Sequence, residues 1–564
     1  MSLLTPFKRL KWGFIPVERH VEDDLHTELQ ETDSAKDSKI SKDPIDTTEA
    51  LIHNDEEDGE TQLEYRDEAN RPWWKFFDEY EYRQNKAKRS KHKWYKWFNE
   101  SDTPAERKLI IKLDITLTFY LMMQYWVKYL DQTNLNNAYV SGMKEDLGFK
   151  GNDLVNTQAM FTVGSIVFQI PFMYALYKLP MNYILPALDI LWSIFTLASY
   201  RVETVAQIKV MRFFVGLFES GAYVSGQFLF ASFYTSDEIV RRSTIFYIGQ
   251  YLGVATSGLL QGKLFSSFHM IHGLEGWRWM FIFDAVISFA VGIIGFYSLP
   301  GTPEHCYSIW LTDDEVKLSR SRMNKNNTSG TIDYSKKFFD KSIWKQILTS
   351  WQVYALSLWN IFLWNNNNGT SGAYLLWLKS LGRFSIPKVN QLSAVSPAVG
   401  IIWLLLTGCY ADLFHSRWQA IFISQIFNFI GNVILASWNV PEPAKWFAWM
   451  LQYTGWAAAP TCYSWAGDIL RRDLQKRSIV MVIINILAQT FSAWISVIVW
   501  ATSEQPRFLK GYSWTAAAAF SLVVWTFVIL YFYKKDERKF AKENGIILYN
   551  SKTGENYPLP DKQA

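Results

Sequence analysis

The sequence predicts an all-α membrane protein with twelve transmembrane helices in two pseudo-symmetric halves of six. About twelve apolar segments lie between Leu113 and Tyr533, each near the roughly 20 residues a helix needs to cross a bilayer. They fall as six, a charged interruption over 301–350, then six more. Aromatic residues make up 17% of the 564, with 26 Trp, which suits belts at two membrane surfaces.

Residues 1–112 hold no spanning segment and no apolar core behind a basic start, so the first helix must act as its own insertion signal. Within this tail, 21–70 are acidic, rich in Ser, Thr and Asp and poor in apolar residues, the composition of disordered chain. The stretch KAKRSKHKWYKW at 86–97 follows, then Arg107, Lys108 and Lys112. These cations either lie on anionic lipid head groups or form an ordinary positive-inside anchor, and the second is favoured.

The first half, 113–300, is expected to span at 113–131, 157–177, 182–200, 207–230, 241–262 and 278–299. The second, 351–533, is expected to span at 352–377, 389–410, 418–437, 445–466, 478–500 and 513–533, before a tail at 534–564. In the loop between them, Thr312 and Glu315 have capping-box spacing, so a helix near 313–323 should join the halves. Arg241, Arg242, the central loop, Arg417, Arg471, Arg472 and the run from Lys534 to Lys542 fall on the side of the basic tail. That side, with both termini, is predicted to be cytoplasmic. The sequons at Asn99, Asn326, Asn327 and Asn368 should then stay unmodified.

Polar residues inside apolar spans are costly and usually face a cavity. In the first span Gln124, Lys128 and Asp131 stand at i, i+4 and i+7, on one face, and Lys128 can pair with Asp131 at i, i+3. They are candidates for a translocation path, with Lys128 holding an anion; the alternative is a snorkelling pair near the helix end. In the fourth span Arg212, Gly216, Glu219 and Tyr223 share a stripe. A fixed cation beside a protonatable carboxyl suits coupling of an anion to a proton, and the alternative is an ion pair that locks packing. Asp284 is a weaker candidate of the same kind, and Asp189 reads as structural. The seventh span carries Asn365, Asn366, Asn367, Asn368 and Gly369 at its midpoint. Poor helix formers there predict local unwinding toward a cavity. The first and seventh spans correspond in the two halves and both appear interrupted, which points to a midplane site. In the fifth span Gly249 with Gly253, and Gly258 with Gly262, predict close helix approach.

Three cysteines exclude a disulfide framework, and none of the eight histidines falls at a helix centre, so a metal site or membrane enzyme has no support. No cofactor is expected beyond a proton gradient. The expected partners are a small-molecule substrate and membrane lipids, with no nucleic acid, for a chain acting as a monomer.

These residues fall in longer strings. YLDQTNLNNA at 129–138, RFFVGLFESG at 212–221, GWRWMFIFD at 276–284 and WLTDDE at 310–315 resemble the allantoate permease branch, or anion:cation symporter family, of the major facilitator superfamily. GCYADLFHSR at 408–417 is similar to the superfamily's cytoplasmic loop between helices eight and nine, which implies a gate role for Asp412 and Arg417. Its first-half counterpart near 178–185 departs from that pattern. The resemblance implies proton-coupled import of small organic anions across the plasma membrane by alternating access, and matches Asp131, Arg212 and Glu219 to motif positions. Two rivals stand beside it. A drug:proton exporter of this fold usually carries a Gly-Pro motif in the fifth helix, and 241–262 contain no proline. A nutrient sensor would signal through the long N-terminal tail.

Overall fold

The computed structural model describes residues 102–325, 341–367, 369, 371–414, 416–472 and 474–543. It also describes short pieces at 10–11, 14–19, 63–66, 82–84, 97–98, 547–549 and 556–557. Among the described residues, twelve helical spans run back and forth, six on either side of the central loop. The first occupies 104–146; a capping box of Thr103 and Glu106 with Pro104 opens it, and π-turns at Asp114–Thr118 and Tyr139–Met143 punctuate it. Asp153–Lys178 and Met181–Ala198 follow, then a fourth span built from Val205–Glu219 and Gly221–Phe233. Ser236–Phe268 and Gly276–Ser298 complete the half.

In the second half the seventh span is Trp351–Asn365 and Ala373–Ser380, broken by the Asn-Gly run as expected. The eighth is Ile386–Ser393 with Val395–Phe414, and the ninth Arg417–Ser437. The tenth is split into Glu442–Leu451, Thr454–Ala457 and Ala459–Ile469, around Gly455 and Pro460. Leu474–Val499 and Leu509–Glu543 close the bundle. The halves pack through the second span on the eleventh and the fifth on the eighth. Two buried clusters, one toward each end of the bundle, draw residues from both halves.

Several expectations need correction. The first span is not interrupted at its middle: Phe119–Ala138 is continuous helix, and the break falls later, at Ser141 and Gly142 (φ 117). Its charges are matched by side chains of a neighbouring span, so the helix need not unwind around them. Residues 63–66, placed within a disordered tail, form a strand. It pairs antiparallel with 82–84 and parallel with 547–549, so the two tails meet in one sheet. The rest of 21–70, most of the basic stretch at 86–97 and the sequons lie outside the described residues. Trp97, within that stretch, donates its Nε1 proton to Asp114 Oδ2 (2.8 Å) and stacks under Arg242.

The loop helix Asp313–Lys325 has the expected capping box, Thr312 with Glu315. Two of its ion pairs run to the first half. Lys112 Nζ meets Glu315 at 2.6 Å, and Arg322 Nη2 meets Glu238 at 2.7 Å. An N-terminal hairpin docks on the same face. Arg19 bonds the carbonyls of Ser308 and Leu311 and pairs with Asp313, while Glu18 accepts from Tyr307 and meets His305. Burial works against the ionised Glu315 carboxyl, but the Lys112 ammonium and the Thr312 cap outweigh it and hold it below the ordinary carboxylate value. A depressed carboxyl contributes stability above its unfolded pKa and loses it as pH falls through the folded one. Hydrogen-exchange protection over 313–325, taken relative to the intrinsic rate at each pH, should therefore fall below the usual carboxylate range, and K112M should weaken that dependence; an unchanged profile would remove the pair from the docking of this helix.

Candidate functional site

Among the described residues, six spans meet length and composition criteria for crossing a membrane: the third, sixth, eighth, ninth, eleventh and twelfth. The other six all line one cavity of about 190 Å³ at the centre of the bundle, joined there by the eleventh and twelfth. Polarity that weakens the membrane signal is thus concentrated where the chain faces a cavity rather than lipid.

On the first span the cavity stripe is Tyr125, Lys128, Tyr129, Gln132 and Leu135, spaced by helical turns. Gln124 and Asp131 lie just to one side of it. Gln124 is buried and its amide donates to Asp189 (2.8 Å), which also accepts from the Tyr120 hydroxyl (2.9 Å). The trio was expected to share one polar face, but Gln124 turns toward the third span and lies outside the cavity lining.

The charged residues pair across spans rather than along them. Lys128 Nζ lies 3.4 Å from Glu219 Oε1, and Arg212 Nη1 lies 3.5 Å from Asp131 Oδ2 and donates to the Asp131 carbonyl (3.1 Å). The expected Lys128–Asp131 and Arg212–Glu219 pairs are replaced by this crossed arrangement, because the first and fourth spans are close enough for each cation to reach a carboxylate opposite. Asp284, on the sixth span, faces Asp131 and Arg212 and accepts from Asn134 (3.1 Å). Lys128 and Arg212 line the cavity, while Asp131, Glu219 and Asp284 stand behind them, almost wholly buried. Arg212 Nε and Nη2 are buried with no hydrogen-bond partner among the described residues.

The asparagine run divides by role. Asn365 and Asn367 line the cavity. Asn366 points away, donating to Gln425 (3.0 Å) while its carbonyl accepts from Asn428 (2.7 Å), and so fastens the broken seventh span to the ninth. Asn368 lies outside the described residues, as does the Asp412 side chain. Arg417 pairs with Asp468 at the end of the tenth span.

Sequence reasoning missed much of the wall. Tyr247, Gln250, Trp456, Tyr463, Gln489 and Trp514 all face the cavity. Uncharged aromatics and single glutamines in membrane helices give little signal alone. Gln132 and Leu135 continue by helical turns the stripe that holds Lys128.

A polar cavity enclosed by a twelve-span bundle, with paired charges at its centre, defines a membrane solute transporter. Residues 121–497 match the family model described as Major Facilitator Superfamily. The chain belongs to that family: it is a multi-pass membrane transporter and not an enzyme. It is 42% identical to the Vitamin H transporter of Saccharomyces cerevisiae, over 88% of this chain and 84% of that protein. It is 29% identical to the Pantothenate transporter liz1 of Schizosaccharomyces pombe, over 77% and 84%. The Pantothenate transporter FEN2 of Saccharomyces cerevisiae is 30% identical over 74% and 83%. Among solved structures, the proton:xylose symporter XylE bound to 6-bromo-6-deoxy-D-glucose superposes with a TM-score of 0.60 at 13% identity. That match covers 74% of this chain and 95% of XylE, and it shows the shared fold.

Proposed function

We propose that this transporter imports a small organic carboxylate together with a proton by alternating access, acting as a monomer in the plasma membrane with both termini cytoplasmic. The observation that carries this is the charge inventory at the cavity wall and just behind it. Two cations, Lys128 and Arg212, face three carboxyls, Asp131, Glu219 and Asp284. An uncompensated charge in a membrane interior is costly, so one proton balances the set. A substrate carboxylate that engages Lys128 and Arg212 brings a further negative charge, which a further proton offsets. Anion and proton then load together. Asn365 and Asn367 orient the substrate body, and Asp412 with Arg417 belong to the cytoplasmic gate.

The relatives' names favour a vitamin carboxylate. Biotin and pantothenate each carry one carboxylate, as this cation pair requires. The strings FKRLKWGFIPVERHVED and NGIILYNSKTG also resemble the yeast transporter associated with resistance to ethionine sulfoxide, which makes a sulfur-containing carboxylate a further candidate.

Glu219→Gln should abolish accumulation driven by external acid while leaving exchange of substrate across the membrane intact. Labelled biotin, pantothenate and ethionine sulfoxide, tested at acidic and neutral external pH, would read both. Equal loss of accumulation and exchange would remove Glu219 from proton coupling. Binding without any transport by correctly localised protein would instead favour a sensor.

A further inference from the structure

Below the charged centre the cavity ends in tyrosines from four different spans. Tyr125 is one turn from Lys128 on the first span, and Tyr223 one turn from Glu219 on the fourth, about 5 Å along each helix. Tyr247 comes from the fifth span and Tyr463 from the tenth. Their ring centroids lie 5.8 Å (Tyr125–Tyr247), 6.3 Å (Tyr125–Tyr223) and 5.2 Å (Tyr223–Tyr463) apart. This is an aromatic box to which both halves contribute.

The hydroxyls are committed in a particular sense. Tyr247 donates to Tyr223 (3.2 Å), and Trp364 Nε1 donates to Tyr463 (2.9 Å). Both Tyr223 and Tyr463 therefore act as acceptors in these bonds, and with their rings 5.2 Å apart each O–H proton can turn from its neighbours, Asn360 among them, toward a ligand. Two phenol donors, one from each half and with adjacent rings, suit an acceptor oxygen, which has two lone pairs. The surrounding ring faces suit a flat or compact ring on which that oxygen sits.

We propose that Tyr223 and Tyr463 recognise an uncharged acceptor oxygen on a ring, and that the substrate class is a carboxylate joined by a short chain to such a ring. This rests on the assignment of Lys128 and Arg212 to the carboxylate. Because the two donors belong to opposite halves, the ring is read only while the halves are together around it.

Binding to the purified full-length protein tests this with three probes, followed by quenching of tryptophan fluorescence. Biotin carries a carboxylate on a short chain from a cyclic urea, pentanoate is the same chain without the ring, and biotin methyl ester keeps the ring but not the charge. Biotin should bind about tenfold tighter than pentanoate or better. Tyr223→Phe and Tyr463→Phe keep the rings, and each should weaken biotin by roughly fivefold while leaving pentanoate within about twofold. Unchanged melting temperatures would show both variants folded. Biotin binding no tighter than pentanoate, or equal weakening of both probes in the Phe variants, overturns the ring assignment. Methyl ester binding as tight as biotin overturns the carboxylate assignment instead and leaves the ring preference standing.

Discussion

Replacing Arg212 by alanine is expected to abolish uptake and to destabilise the transporter by about 3–5 kcal/mol, the usual result of removing one partner from a buried ion pair. Arg212 is 2% exposed, binds both the carboxylate and the carbonyl of Asp131, and faces Asp284. Without it, two carboxyls share a low-dielectric site with no cation beside them. Arg212→Lys keeps the charge but loses the planar fork that serves a carbonyl and a carboxylate together, so it should fold better than the alanine variant and transport poorly. Adding Asp131→Asn to the alanine variant should recover much of the thermal stability and none of the uptake. Melting temperature in detergent and uptake in vesicles separate the two effects. Transport by Arg212→Ala near the wild-type rate would sink the anion role of this residue.

The second large effect is expected at Gly253. A Cβ there would stand 2.4 Å from the Trp126 carbonyl oxygen and 2.8 Å from the Leu130 nitrogen, both rigid backbone of the first span. Gly249 meets the Met122 carbonyl in the same way, so the fifth span rides directly on the first, as its small-residue spacing predicted. Overpacking of a close contact costs about 1–3 kcal/mol for a small addition, which sets the expectation for Gly253→Ala. Gly253→Leu cannot be absorbed by rotamer change and should prevent assembly, read as loss of the monodisperse peak on size exclusion. Lys128 lies between Trp126 and Leu130, so alanine should also lower uptake more than its stability cost alone explains. Gly226→Ala is the control: its nearest contact would be a Phe246 ring atom at 3.4 Å, an ordinary packing distance. A Gly253→Leu protein that assembles normally would mean the two spans separate more readily than this contact implies.

The sequence carried the span count because apolar length is a local property, read one window at a time. It carried the break in the seventh span for a similar reason, since Asn and Gly oppose helix locally. The pairing of charges was not legible. Lys128 and Asp131 stand three residues apart, and only the approach of the fourth span decides that each turns to a different partner. Asn366 shows the same limit. Its neighbours Asn365 and Asn367 face the cavity, yet rotation about the unwound backbone directs it to Gln425. Of the aromatic floor, Tyr223 was legible on the stripe of Arg212 and Glu219; the other three were hidden, because tyrosines are common throughout membrane helices and only convergence in space distinguishes Tyr125, Tyr247 and Tyr463.

The hairpin that ends at Arg19 bears on the order in which the chain is made. Glu18 and Arg19 leave the ribosome before the span that starts at Pro104, yet their partners at His305, Leu311 and Asp313 follow only after six spans, counting from that one, have been synthesised. The clasp therefore cannot close until the first half has been threaded into the bilayer. Its partners at His305, Tyr307, Ser308, Leu311 and Asp313 all precede the second half. Domains in long chains fold as units in the order of synthesis, and this contact marks the point at which the first unit is complete. A chain lacking its first twenty residues would insert the same helices but begin the second half with the loop at 301–313 unfastened.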